Sequence, residues 1–251
     1  MPFLPKPEAS ALHDRFDSVC SRLADAAKAS GRDAADVRLI AISKTHPAPM
    51  LVELFSHWRN GVPTFGENYV QEALQKQTDV TSLLCKTSDG RILPEWHFTG
   101  HVQTRKAKEI TGRFSLIHTL DSEKLAEQIQ KAVLTQNLSP QAVLVQINIG
   151  GETQKSGILE SQAEQFINTV RTIPQIRIGG LMCLPPFSDD AESSRPYFAA
   201  MRKLRDVLRA ATGLPLPHLS MGMSHDCEIA VNEGATIVRV GADIFGEREA
   251  R

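Results

Sequence analysis

The chain has 251 residues, 41% hydrophobic and 23% charged, the profile of a soluble globular protein with room for one large α/β barrel or two smaller domains. Lys and Arg number 28 against 29 Asp and Glu, a formal net charge of -1, so no field draws in nucleic acid or an anionic membrane. Aromatic residues make up 6%, too few for a base-stacking surface.

Cys20, Cys85, Cys183 and Cys227 stand far apart without paired spacing. That fits reduced thiols in a cytoplasmic protein better than a disulfide or zinc framework. The Pro-rich residues 1–7 lack the apolar centre of a signal peptide. No apolar run nears the roughly 20 residues needed to span a bilayer.

Residues 10–30 predict an amphipathic helix, with Leu12, Phe16, Val19, Leu23 and Ala26 at helical spacing and Gly31 as its stop. Residues 37–44 follow as a nearly continuous apolar strand, the pattern of a strand covered on both faces. Lys44 ends it, sharing a face with Ile40 and Ile42 by alternation. A lysine there is costly unless it is paired, deprotonated or covalently used. An ion pair and a reactive amine both stay open at this point.

A helix runs from near Pro49 to Asn60-Gly61, and a short strand covers 64–67. Asn68 with Gln71 resembles a capping box for the next helix, whose apolar pattern fades near Thr78. A loop at 87–90 precedes a strand at 95–100 and a basic helix with Arg105, Lys106 and Lys108, read as a wet face. Strands are expected at 115–120, 142–149, 176–183, 218–223 and 236–241. The helices between them fall at about 122–137, 161–173, 194–211 and 226–233. Eight strand–helix units without a composition break specify a single (β/α)8 TIM barrel over 37–246, one domain preceded by an extra N-terminal helix. A doubly wound open sheet would carry a Gly-rich turn after its first strand, where this chain has Lys44-Thr45-His46-Pro47.

In a barrel the C-terminal strand ends converge where chemistry is done. Here they carry Lys44, Asn68, His97, Asn148, Met182, Ser220, Ser224, Arg239 and Gly241. The small residues of the last two ends, including Gly222 and Gly241, let backbone N–H groups approach a phosphate, and Ser220 and Ser224 add hydroxyls. Ser224 as a plain helix cap is the competing reading. Arg239 lies on the face of Ile237 and Gly241 and stays charged when buried, so it needs an acceptor. Glu67, Glu95 and a ligand heteroatom all qualify. A strand-end lysine, a phosphate cradle and an inward arginine together suggest pyridoxal phosphate (PLP), with Lys44 as the Schiff base.

The blocks Ala41-Ile42-Ser43-Lys44-Thr45, Phe65-Gly66-Glu67-Asn68-Tyr69, Trp96-His97-Phe98-Thr99-Gly100, Lys155-Ser156-Gly157, Leu219-Ser220-Met221-Gly222-Met223-Ser224 and Arg239-Val240-Gly241 resemble the pyridoxal phosphate homeostasis protein family. That family looks like the barrel domain of alanine racemase standing alone. The resemblance implies PLP on Lys44, Arg239 at the ring nitrogen, phosphate held by Ser220, Gly241 and neighbouring backbone, and Asn68 and Met182 lining the pocket. It further implies a role in vitamin B6 and amino-acid balance without a settled reaction, with PLP-dependent apoenzymes as recipients. Two positions depart from the family pattern. Ala242 stands where Thr is usual, leaving only a backbone N–H, and Gly100-His101-Val102-Gln103 replaces Gly-Pro-Leu-Gln.

His97 and His101 are spaced as metal ligands only if helical, and their segment reads as strand then turn, so His97 is expected to pack or line the pocket. Lys155 is read as a solvated loop charge that can assist phosphate entry. A monomer is expected. Two rival functions share the lysine: a PLP-dependent amino-acid racemase, which needs an acid/base group on each face of the substrate, and a cofactor-free Schiff-base aldolase.

Overall fold

A computed structural model of the chain describes residues 3–59, 61–85 and 93–247. The strands are β1 Arg38–Ile42, β2 Thr64–Glu67, β3 Glu95–Phe98, β4 Leu116–Leu120, β5 Gln141–Ile147, β6 Ile176–Cys183, β7 His218–Ser220 and β8 Ile237–Val240. All pair in parallel and in chain order, and β8 closes on β1 through Ile40 opposite Arg239 and Ala41 opposite Val240. The helices are α1 Lys6–Ala29, α2 Ala48–His57, α3 Val70–Cys85, α4 Ala107–Ile110, α5 Glu123–Thr135, α6 Ala163–Val170, α7 Arg195–Thr212, α8 Cys227–Asn232 and α9 Ala242–Phe245. The expected barrel with an added N-terminal helix is what forms.

Strand alternation sorts side chains into two layers. Leu39, Ala41, Phe65, Trp96, Phe98 and Ile117 face outward and merge with the helices in one large core. Ile40, Leu116, Leu144, Met182 and Ile237 face inward as a separate apolar plug, with Ile42 packed against it. Gly66 in β2 leaves room for that plug: a Cβ there would run into the side chains of Ile42 and Ile40.

Element limits differ from the sequence reading for local reasons. α1 starts at Lys6 rather than near residue 10 because its prolines sit before and within the first turn, where the missing N–H costs nothing. α3 continues past Thr78 to Cys85. Its buried stripe is Ala73, Lys76, Val80 and Leu84, so a lysine occupies a core position and masks the periodicity. β7 keeps three residues because Gly222 already has φ +90°. The basic segment at 104–110 is a 3₁₀ turn followed by the four-residue α4. The loop expected at 87–90 and the helix stop at Asn60 lie outside the described residues.

Gly180 in β6 has φ +152°, and a Cβ there would overlap the backbone carbonyl of His218 in β7. Gly180→Ala is therefore expected to destabilise the protein by about 1–3 kcal/mol, the usual cost of forced overpacking, measured as a lowered urea midpoint with an unchanged m-value.

Candidate functional site

Lys44 is half-buried in the turn that leaves β1. The two peptide groups flanking it are both held by α3. Lys76 Nζ donates to the Ser43 carbonyl at 2.6 Å, and Glu72 Oε1 accepts from the Thr45 N–H at 2.5 Å. Lys76 also donates to Glu67 Oε1 at 2.6 Å and Glu72 Oε1 at 2.7 Å, and the Ser43 hydroxyl donates to Glu67 Oε1 at 2.7 Å. The Lys76 and Glu67 side chains are 6% and 0% exposed, so the pair lies in the protein interior. Burial pushes the Glu67 carboxyl above the usual range, against the pull of Lys76 and Ser43. Thr45 has φ +69°, a strained setting for a β-branched residue. The network around it supplies the restraint that holds it there.

Arg239 is 4% exposed inside the barrel. Glu67 and Glu95 are not its acceptors: Glu67 is taken by Lys76 and Ser43, and Glu95 pairs with Arg38 at 2.9 Å. Arg239 donates instead to Ser220 Oγ at 2.6 Å and to the Cys183 carbonyl at 3.0 Å. Two of its five N–H groups are thereby used by protein acceptors. The others have no hydrogen-bond acceptor among the described residues.

The β7 and β8 ends meet beside the Lys44 turn. An ideal Cβ on Gly241 would sit 3.3 Å from the Ile42 carbonyl oxygen. Ser224 does not cap α8, whose N-cap is Asp226, its carboxylate accepting from the Met223 N–H and not from the helix. Its hydroxyl instead receives the N–H groups of Gly241 and Asp243 at 3.4 and 3.5 Å. The Ala242 N–H between them, in an exposed residue, has no partner among the described residues. Gly222 is packed so closely that a Cβ would lie 2.5 Å from Ala230 Cβ.

α1 braces these loops from outside. Arg22 donates to Glu228 at 2.5 Å, to Asp243 at 2.6 Å and to the Ser224 carbonyl at 3.3 Å, and Arg15 donates to the Ile244 carbonyl at 2.8 Å. The Glu228 and Asp243 carboxylates hold the Arg22 pKa above its ordinary value.

Other expected positions fall elsewhere. His97 is buried below the mouth, 3.0 Å from His118 Nε2, and His118 Nδ1 lies 2.9 Å from Ser220 Oγ. His97 is thus three hydrogen bonds from Arg239 and does not line the opening. Ser220 is fully buried between His118 and Arg239, which sets it beneath the cradle rather than on it. Asn68 begins no capping box: its Oδ1 accepts from Thr99 Oγ1 at 2.7 Å, while Gln71 reaches Glu109. Asn148 folds the loop after β5 by bonding Glu152 and Lys155 backbone. Lys155 is half-buried, bonding Glu152 and the Pro185 carbonyl rather than standing free in solvent. Met182 is fully buried in the inner plug.

Gln146 was not anticipated. It is 6% exposed opposite Met182, donates to the Ser156 carbonyl, and its Oε1 has no partner among the described residues. An amide on the inward face of the Val143-Leu144-Val145-Gln146-Ile147 run was the available signal. Among the described residues no group of three or more His, Cys, Asp and Glu is placed to hold a metal.

The family model for the alanine racemase N-terminal domain matches residues 19–249. A pyridoxal phosphate homeostasis protein from Aquifex aeolicus is 39% identical over 94% of this chain and 98% of its own length. The human pyridoxal phosphate homeostasis protein is 36% identical over 84% of this chain and 77% of its own. The chain belongs to the pyridoxal phosphate homeostasis protein family. The structure of PipY of Synechococcus elongatus with PLP bound superposes with a TM-score of 0.76 at 31% identity, covering 94% of this chain and all (100%) of that one. Alanine racemase from Corynebacterium glutamicum shares the fold at TM-score 0.66 and 17% identity, this barrel matching 62% of its chain.

Two outcomes follow for this family member. Lys76→Met strands the Glu67 carboxylate in the interior and is expected to cost about 3–5 kcal/mol in denaturant unfolding. Adding Glu67→Gln should return part of that loss. Arg22→Ala removes a partly exposed set of ion pairs, so the global midpoint should barely move. Amide hydrogen exchange in 224–245 should nevertheless accelerate, because the brace on those loops is gone.

Proposed function

We propose that this protein binds PLP at the C-terminal mouth of the barrel, as a Schiff base on Lys44, and serves PLP homeostasis rather than a dedicated reaction. The observation that carries the reading is the closure of β8 on β1. It sets Gly241 against Ile42, two residues before Lys44, and buries Arg239 in the adjacent strand with donors to spare. The residues present fit the group. An anionic phosphate suits the free Ala242 N–H and the small-residue ends of β7 and β8, and a pyridine nitrogen suits a guanidinium donor. PipY, at 31% identity, is a PLP-bound structure by its own description. That likeness supports extending PLP to this chain.

PLP, when bound, supplies an aldehyde that condenses with an amine with loss of water and an electron-withdrawing ring. The chain's own contribution is to place and restrain. α3 fixes the backbone on both sides of Lys44. Arg239 donates a hydrogen bond but keeps its proton, so the ring is left a weaker electron sink than an acidic partner would make it. That favours holding the cofactor over turning over amino acids. Gln146, whose amide oxygen near Met182 has no partner among the described residues, and Asn68 are proposed as pocket residues beside them. A cytoplasmic monomer handing PLP to apoenzymes, with an effect on amino-acid balance, completes the proposal.

Titrating the purified protein with PLP should develop a visible absorption band. Borohydride followed by peptide mapping should then place the label on Lys44. Lys44→Ala should abolish both signals with the fold intact by circular dichroism. A label on another lysine, or no band in the native protein, would sink the assignment.

A further inference from the structure

The barrel axis carries a line of polar groups that the cofactor reading uses at one end only. Arg239 Nη1 lies 2.6 Å from Ser220 Oγ, Ser220 Oγ 2.9 Å from His118 Nδ1, and His118 Nε2 3.0 Å from His97 Nδ1. His97 Nε2 then faces Glu95 Oε2 at 3.6 Å, an electrostatic contact rather than a hydrogen bond. Glu95 and Arg38 border a cavity of about 430 Å³ at the opposite, N-terminal mouth. His97 and His118 are 1% and 0% exposed.

Donor and acceptor inventories allow this line only one arrangement. An ionised carboxylate only accepts, and Glu95, held below the ordinary range by the His97 N–H and then by Arg38, is ionised. His97 therefore carries its proton on Nε2. Burial disfavours the imidazolium at both histidines, so His97 Nδ1 is an acceptor. His118 must then donate from Nε2, which leaves its Nδ1 to accept from the Ser220 hydroxyl. The Ser220 oxygen, its proton spent, turns a lone pair to Arg239. Each donor meets one acceptor, and the sequence has one direction.

We propose that His118 and His97 are positioning residues for Arg239, locking its guanidinium through a one-way chain of three hydrogen bonds whose far end, at His97, faces the Glu95 carboxylate. The chain itself is a property of the folded protein. Its effect on PLP rests on the function proposed above. It also gives Ser220 a duty other than phosphate binding, since its only proton is committed to His118. The titratable and charged groups facing the histidine pair are Glu95 and Arg38 from the N-terminal mouth, His218 from β7 and Arg239 from β8. Three of the four favour neutral rings at His118 or His97, and Glu95 alone opposes.

Histidine-labelled, cofactor-free protein tests the chain by nitrogen NMR, with assignment from single variants. Both His97 and His118 should show a protonated Nε2 and a bare Nδ1 from about pH 8 to about pH 6, across the range where a free histidine titrates. A protonated Nδ1 on either ring, or an imidazolium signal in that range, would overturn the proposal. Glu95→Gln presents an amide that suits either tautomer, so a second set of ring signals should appear. An unchanged single set would refute the role given to the carboxylate.

The positioning role is read from PLP dissociation constants. His118→Asn keeps an oxygen where Nδ1 accepts from Ser220 and should stay within about threefold of the native value. His118→Leu removes the acceptor and should weaken binding about tenfold, the scale of one lost hydrogen bond. Equal effects from Asn and Leu would count against positioning. If the leucine variant does not fold, the NMR pattern and the asparagine variant still decide. Failure of the native protein to bind PLP would reject the function while leaving the tautomer result standing.

Discussion

Beneath the turn that carries Lys44, an ammonium and a carboxylate meet with almost no water around them. Removing two such ions from solvent costs several kcal/mol each. The structure offsets this by giving the Lys76 ammonium three oxygen partners: Glu67, Glu72 and the Ser43 carbonyl. One of those partners is the backbone just before Lys44, and Glu72 in turn grips the backbone just after it. The ion pair is thus the anchor of the turn. It also explains how Thr45 persists at φ +69°. Local strain survives where surrounding bonds over-determine the backbone.

The barrel interior is shared between an apolar plug and a polar line. β1, β4, β5, β6 and β8 supply the plug, and β3, β4, β7 and β8 contribute Glu95, His97, His118, Ser220 and Arg239. Polar groups at such depth are tolerable only when each has a partner. A partly satisfied row would be worse than none. A buried guanidinium at the mouth thereby imposes a requirement on residues one and two strand layers below it.

α1 adds a third restraint that the eight-fold repeat does not contain. Its apolar stripe buries Leu12, Phe16, Val19 and Leu23, and its polar edge sends Arg15 and Arg22 to the β7 and β8 loops. Those loops are short and glycine-rich, which lets backbone N–H groups reach an anion but gives little rigidity of their own. A brace from outside supplies it.

The apolar runs, their alternation with helical segments and the Lys44, Arg239 and Gly241 positions were legible in the chain alone. Buried parallel strands and amphipathic helices are written in local periodicity, and an inward charge in an apolar strand is an anomaly visible without coordinates. What the chain could not reveal was pairing between distant polar residues. Lys76 drew no notice in a helix whose apolar pattern fades near Thr78, Glu67 and Glu95 stood beside a ligand heteroatom as partners for Arg239, and His97 was left between packing and lining the pocket. Closing the barrel put Lys76 over Glu67 and His97 beside His118. Which charges meet is fixed by strand order and register, and neighbouring residues in sequence carry no record of that.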